Sequence, residues 1–314
     1  MFSLITLLLN TVQGGLLVAP LRAAAVQVEQ AGRRPLVAAP SPWEAAVPPE
    51  AFNRLYQEAL RALQRERWSE AEERLVKAIA LRPDFAPAHL HLGVVLERRG
   101  EKDKSKHALL TALRLDPRLT MAYYHLGLLE REDGHLEEAA AWFQQAIGTD
   151  PTHHASYVRL GNVLIRQRRF AEALPVLEQA RALQPSDAPS FFNLGLAHEG
   201  LGHYEASLAA FRKAIELNPS YVRAYYNLGT LLLQRGAYRE ALAPLDEATR
   251  RNPGSADAWY NLAATYAHLE DKARALAALQ RALDVNPALA AEARRDEDFA
   301  NLHTDMDFVT LTDR

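Results

Sequence analysis

The sequence predicts an all-α solenoid of antiparallel helix pairs, and three observations predict it. Pro83, Pro117, Pro151, Pro185, Pro219, Pro253 and Pro287 stand 34 residues apart without a slip. Leu92, Leu126, Leu160, Leu194 and Leu228 are each followed by glycine, at Gly93, Gly127, Gly161, Gly195 and Gly229. Alanine recurs with the same period at Ala78, Ala112, Ala146, Ala180, Ala214, Ala248 and Ala282. A fixed period of this length makes each unit one supersecondary element that buries its apolar face only by stacking on its neighbours. Function is therefore expected on an extended surface and not in a catalytic pocket.

In chain order, residues 1–25 read as an export signal or an apolar anchor. Met1 to Leu21 carries no charged side chain, Phe2 to Leu9 is an apolar run, and Ala23-Ala24-Ala25 offers an A-x-A cleavage site. Export to the periplasm or medium is the favoured reading. No Lys or Arg precedes the run, and Asn10, Thr11, Gln13, Gly14 and Gly15 interrupt it. A membrane span needs about 20 apolar residues, so a membrane-associated segment is the weaker alternative, in which Arg33 and Arg34 would keep the downstream side cytoplasmic. A cytoplasmic chain with an apolar tail is the remaining one. Residues 26–51 hold Pro35, Pro40, Pro42, Pro48 and Pro49 among alanines and read as an extended linker.

With each proline at position 32, seven units follow: 52–85, 86–119, 120–153, 154–187, 188–221, 222–255 and 256–289. Apolar positions 4, 7, 8 and 11 have helical spacing, and 20, 24 and 27 repeat it on a second helix. Gly100, Gly134, Gly202 and Gly236 at position 15 mark the turn between the helices, where positive φ is cheap for glycine. The second helix must end before the proline, which disfavours helical geometry in its predecessor. Small residues at positions 8 and 20 let the two helices approach closely. Pro175 and Pro244 fall near the start of second helices and should bend them without breaking them. Residues 290–314, with Phe299, Leu302, Phe308 and Leu311 among acids, read as a cap for the last apolar face.

Tyr123, Tyr157, Phe191, Tyr225 and Trp259 at position 4, Leu-Gly at 7 and 8, alanine or serine at 20, alanine at 27 and proline at 32 resemble the tetratricopeptide repeat family. The resemblance covers about Phe52 to Leu289. It implies a right-handed superhelix whose first helices line a concave groove, with positions 2, 5, 6, 9, 12 and 13 facing it.

Composition narrows the chemistry. The net charge of −3 shows no basic footprint for nucleic acid, so no nucleic-acid partner is expected. Without cysteine there are no disulfides, thiol nucleophiles or cysteine-based zinc sites. The sequence has no HExxH, no glycine-rich phosphate loop and no Gly-x-Ser-x-Gly. No catalytic residue, metal or cofactor is expected. His89 with His91, and His153 with His154, diverge on a helix, whereas His91 and His125 share position 6 of adjacent units.

The remaining candidates lie in the groove. Position 6 reads His91, His125, Arg159, Asn193, Asn227 and Asn261. The three asparagines form a row of groups that donate and accept at once, which suits a peptide backbone. Tyr124, Phe192, Tyr226 and Tyr260 at position 5 are either ligand anchors or packing between units. Asn162 and Thr230 at position 9 and Arg223 at position 2 complete the candidate set. The reading is a non-enzymatic protein–protein interaction scaffold that binds an extended or helical peptide segment, as an assembly or adaptor factor. The alternatives are a self-associating envelope protein using helix edges or the apolar N-terminus, and a non-catalytic subunit that positions substrates for a partner enzyme. Partners are expected to be protein or peptide, with membrane association through the N-terminus as an option and the oligomeric state open.

Overall fold

An extended residue before a proline closes each repeat, and that local chemistry sets the helix boundaries. The computed structural model describes residues 49–313. The candidate export segment at 1–25, and the linker as far as residue 48, lie outside the described residues. The first helices of the units are α1 (Pro49–Gln64), α3 (Ala86–Arg98), α5 (Thr120–Glu132), α7 (His154–Arg166), α9 (Ala188–Gly200), α11 (Val222–Gln234) and α13 (Ala256–His268). The second helices are α2 (Trp68–Leu81), α4 (Lys102–Leu115), α6 (Leu136–Thr149), α8 (Phe170–Leu183), α10 (Tyr204–Leu217), α12 (Tyr238–Arg251) and α14 (Lys272–Val285). Helix α15 (Leu289–Ala293), a 3-10 turn (Glu297–Leu302) and α16 (Met306–Thr312) complete the chain. No strand occurs among the described residues. The fold is all-α, and Pro49 to Ala51, read as linker in the sequence, form the first turn of α1.

Asp116, Asp150, Asn218 and Asn286, each before a proline, sit in extended backbone with φ between −137° and −140°. That is the conformation a following proline imposes. Each side chain then accepts from the backbone N–H two residues on, at 2.9 Å from Arg118, 2.9 Å from Thr152, 3.0 Å from Ser220 and 3.2 Å from Ala288. The Asx turn formed this way turns the chain into the next first helix. At the other bend, Gly100, Gly134, Gly202 and Gly236 have φ of 76°, 85°, 75° and 74°. Glu66, Arg168 and Glu270 occupy the equivalent place with φ of 55°, 60° and 60°. The turn geometry is thus common to all units, although only four of them supply glycine. Helices α8 and α12 continue through Pro175 and Pro244.

The chain divides between Val163 and Leu164 into two units of structure. In the first, α1 packs on α2, α3 on α4 and α5 on α6. In the second, α9 packs on α10, α11 on α12 and α13 on α14. The position-8 glycine makes the contact close, since a Cβ on Gly93 would lie 2.6 Å from Leu109 Cγ and one on Gly127 2.7 Å from Phe143 Cε1. Leu109 and Phe143 are fully buried, and each such side chain contributes on the order of 1.5–3 kcal/mol. In the second unit one buried cluster runs from Phe192 through Phe211, Leu245 and Leu279 to Leu289, Phe299, Leu302, Phe308 and Leu311.

Candidate binding face on the first helices

In the structural unit that ends at Val163, position 6 carries rings that are already engaged. The Tyr56 hydroxyl and His91 Nδ1 are 2.9 Å apart, and His125 Nδ1 lies 2.6 Å from Glu97 Oε2. Burial holds the His91 imidazole below its ordinary value, and the charge of His125 acts in the same direction against a bond to the Pro87 carbonyl. The Tyr124 ring meets His153 edge-on at 5.2 Å, and its hydroxyl accepts from Arg159 Nε at 3.3 Å. Arg159 is exposed and Asn162 half-buried. Among the described residues no three His, Cys, Asp or Glu side chains gather as a metal site would require.

In the second unit the expected row of equivalent asparagines is not formed. Asn193 is 5% exposed and belongs to the interior. Asn227 is half-exposed and gives Nδ2 to the Arg223 carbonyl one turn back, at 2.8 Å. Asn261 gives Nδ2 to Thr230 Oγ1 at 2.8 Å, linking α13 to α11. Asn227 and Asn261 differ because one turns to its own helix and the other to the preceding first helix, which a column of identical letters does not record.

The position-5 aromatics separate in the same way. Phe192 is 1% exposed, with its ring 5.7 Å from Phe211 and 5.0 Å from Tyr221, so it is no surface anchor. Tyr260 is 7% exposed, lies edge-on to Phe299 at 5.2 Å, and donates its hydroxyl to Asp296 Oδ2 at 2.7 Å. Burial first, and then the bond to Asp296, push its phenol far up. Phe192 packs within its own repeat, Tyr260 packs against the segment that follows its repeat, and both leave the candidate set. Tyr226 is half-exposed and lies beside Thr230 and Asn261. Burial raises its phenol, with Asp257 adding to the effect. Arg223 is exposed, with its guanidinium 4.8 Å from the centre of the Phe192 ring.

The structure therefore brings together Tyr226, Thr230 and Asn261, with Asn227 and Arg223 on the same helix as the first two. The sequence reading missed the glutamates at position 12, Glu97 and Glu199, because acids on helix faces are ordinarily solvated. Their signal was the register itself, which the repeat assigns to the groove. Among the described residues no helix is long and apolar enough to cross a membrane.

A family model described as tetratricopeptide repeat matches residues 56–105, 98–154, 158–222, 192–256 and 226–293. Among solved structures, one described as YrrB, a TPR protein with an unusual peptide-binding site, is 28% identical with a TM-score of 0.51, over 61% of this chain and 100% of that one. PilF of Pseudomonas aeruginosa is 20% identical with a TM-score of 0.60, over 70% of this chain and 97% of its own. A tetratricopeptide repeat protein of Parabacteroides merdae is 16% identical with a TM-score of 0.59, over 84% and 100%. The latter two show the fold alone. No curated protein matches the chain.

Proposed function

Because the chain belongs to the tetratricopeptide repeat family, whose arrays are protein–protein interaction scaffolds, we propose that it holds a polypeptide segment of a partner on the first-helix face of its second unit. The observation that carries this reading is the Tyr226, Thr230 and Asn261 cluster between adjacent first helices. A carboxamide has two N–H positions and two lone pairs, so Asn261 and Asn227 have bonding capacity beyond the single N–H that each gives to the protein. Tyr226 supplies a half-exposed ring beside them, the kind of rigid amphipathic surface that anchors interfaces. The 28% identical YrrB structure, described as having a peptide-binding site, supports the same mode for this chain. An adaptor or assembly role follows from holding one partner by a short segment while the rest of the array stays available.

The test is a selection of displayed twelve-residue peptides on the full chain, followed by affinity measurement by fluorescence anisotropy. The double substitution Asn227→Ala and Asn261→Ala should weaken the selected peptides by tenfold or more while circular dichroism stays unchanged. Equal affinities for the two proteins would refute binding at this face.

A further inference from the structure

We infer that the segment bound on this face presents an arginine or lysine whose cationic head pairs with Glu199, an inference that rests on the peptide-binding reading above. Two units carry glutamate at position 12, Glu97 and Glu199. From Glu97, a step of 28 residues leads to His125, whose Nδ1 lies 2.6 Å from the carboxylate. The same step from Glu199 leads to Asn227. There the carboxamide nitrogen has turned to its own helix, at the Arg223 carbonyl. The repeat has thus placed two carboxylates in one register and given an internal partner to only one of them.

The Glu199 side chain is half-buried, and its carboxylate has no hydrogen-bond or ion-pair partner among the described residues. Burial alone pushes its carboxyl up. A partly desolvated carboxylate with no donor is unfavourable, and a guanidinium or ammonium relieves it better than a neutral amide does, since it adds the attraction of opposite charges to the hydrogen bond. Arg223, an exposed cation on α11, is held over the Phe192 ring. Asp257 adds a second negative charge to the face, felt at the Tyr226 phenol. Cationic ligands are therefore favoured on this face, and anionic ones are disfavoured.

The experiment compares peptides selected on the full chain with peptides selected on Glu199→Gln, a change that keeps shape and removes charge. Wild-type selections should carry Arg or Lys at one fixed position, and that position should become random on Glu199→Gln while the rest of the pattern persists. In the matching affinity cycle, replacing the peptide arginine by its neutral isostere citrulline should weaken binding to wild type about tenfold and to Glu199→Gln less than twofold. Peptides that bind through Asn227 and Asn261 yet show no basic position, or equal citrulline losses on both proteins, would overturn the pairing and leave the binding face intact. Selections that yield no peptide, or peptides indifferent to Asn227→Ala and Asn261→Ala, would overturn the binding face and the pairing with it.

Discussion

Ser105 and Ser207 hold the same register, position 20, and have opposite hydrogen-bonding states. Ser105 donates Oγ to the buried Gly93 carbonyl at 2.7 Å, whereas the buried Ser207 hydroxyl has no partner among the described residues. Ser105→Ala should therefore lower stability by about 1 kcal/mol, and Ser207→Ala should leave it level or raise it by a similar amount, because an unmade bond is the costlier state. Urea denaturation of the full chain would show the difference, and equal losses would contradict it. At the bends, Glu66 and Glu270 pay for a left-handed backbone that glycine adopts freely. Converting either to glycine should stabilise by roughly 0.5–1 kcal/mol, the left-handed penalty of about 1–2 kcal/mol less the entropy glycine loses. The glycine period exposed four of these bends in the sequence. The other three were hidden because the backbone angle is a property of the whole unit, and a strained glutamate or arginine looks like any other surface residue.

Helix pairs are where the sequence was most legible. The glycine at position 8 and the large side chain at position 24 of the same unit are reciprocal, as Gly127 and Phe143 show. Gly127→Ala should destabilise by about 1–3 kcal/mol through overpacking, more than the gain of up to about 1 kcal/mol in helix propensity. Ala263 already tolerates its methyl in a unit whose position 24 is Leu279, both fully buried. Adding Phe143→Leu to Gly127→Ala should accordingly recover part of the loss, and a thermal midpoint no higher for the double variant than for the single one would refute that account. The binding face was less legible, for a reason also found at this scale. Position 5 either packs into the core or faces outward, and the choice depends on the side chains that meet it from its own repeat and from the next. Phe211 and Tyr221, from its own repeat, pack against the buried Phe192, while Tyr226 stays half-exposed.

Over the whole molecule, half-buried imidazoles should set the acid limit of stability. Burial lowers His91 and His153 below their ordinary value near 6.5. Between that value and the lower folded one, the unfolded chain binds more protons, so stability is full above about pH 6.5 and is lost as pH falls through the window. Glu199 acts in the opposite sense at lower pH, since its raised carboxyl takes up a proton in the folded state first. His91→Gln should flatten the slope of urea midpoint against pH between 6.5 and 5, and an unchanged slope would remove His91 from the account.

The C-terminal segment carries the last consequence for the whole chain. In a stacked array each repeat draws stability from its neighbours, so the final one depends on whatever covers it. Here Phe299 and Phe308 enter the buried cluster of the second unit, and Tyr260, Ala267 and Lys272 bond to Asp296, Asn301 and Asp305. Tyr260 reaches Asp296 across 36 residues, close to the 35 that separate Tyr56 from His91, so the segment stands in for part of an eighth first helix. Deleting residues 296–314 should uncover the apolar face of α13 and leave the Tyr260 hydroxyl without its acceptor. Two buried phenylalanines alone represent several kcal/mol at about 1.5–3 kcal/mol each. Hydrogen exchange should show protection lost first in α13 and α14, with α9 and α10 affected less, because coupling in such arrays passes from neighbour to neighbour. Uniform loss across the second unit would mean that it unfolds as one cooperative block, and unchanged protection in α13 would mean that the segment only rests on a surface that is stable without it.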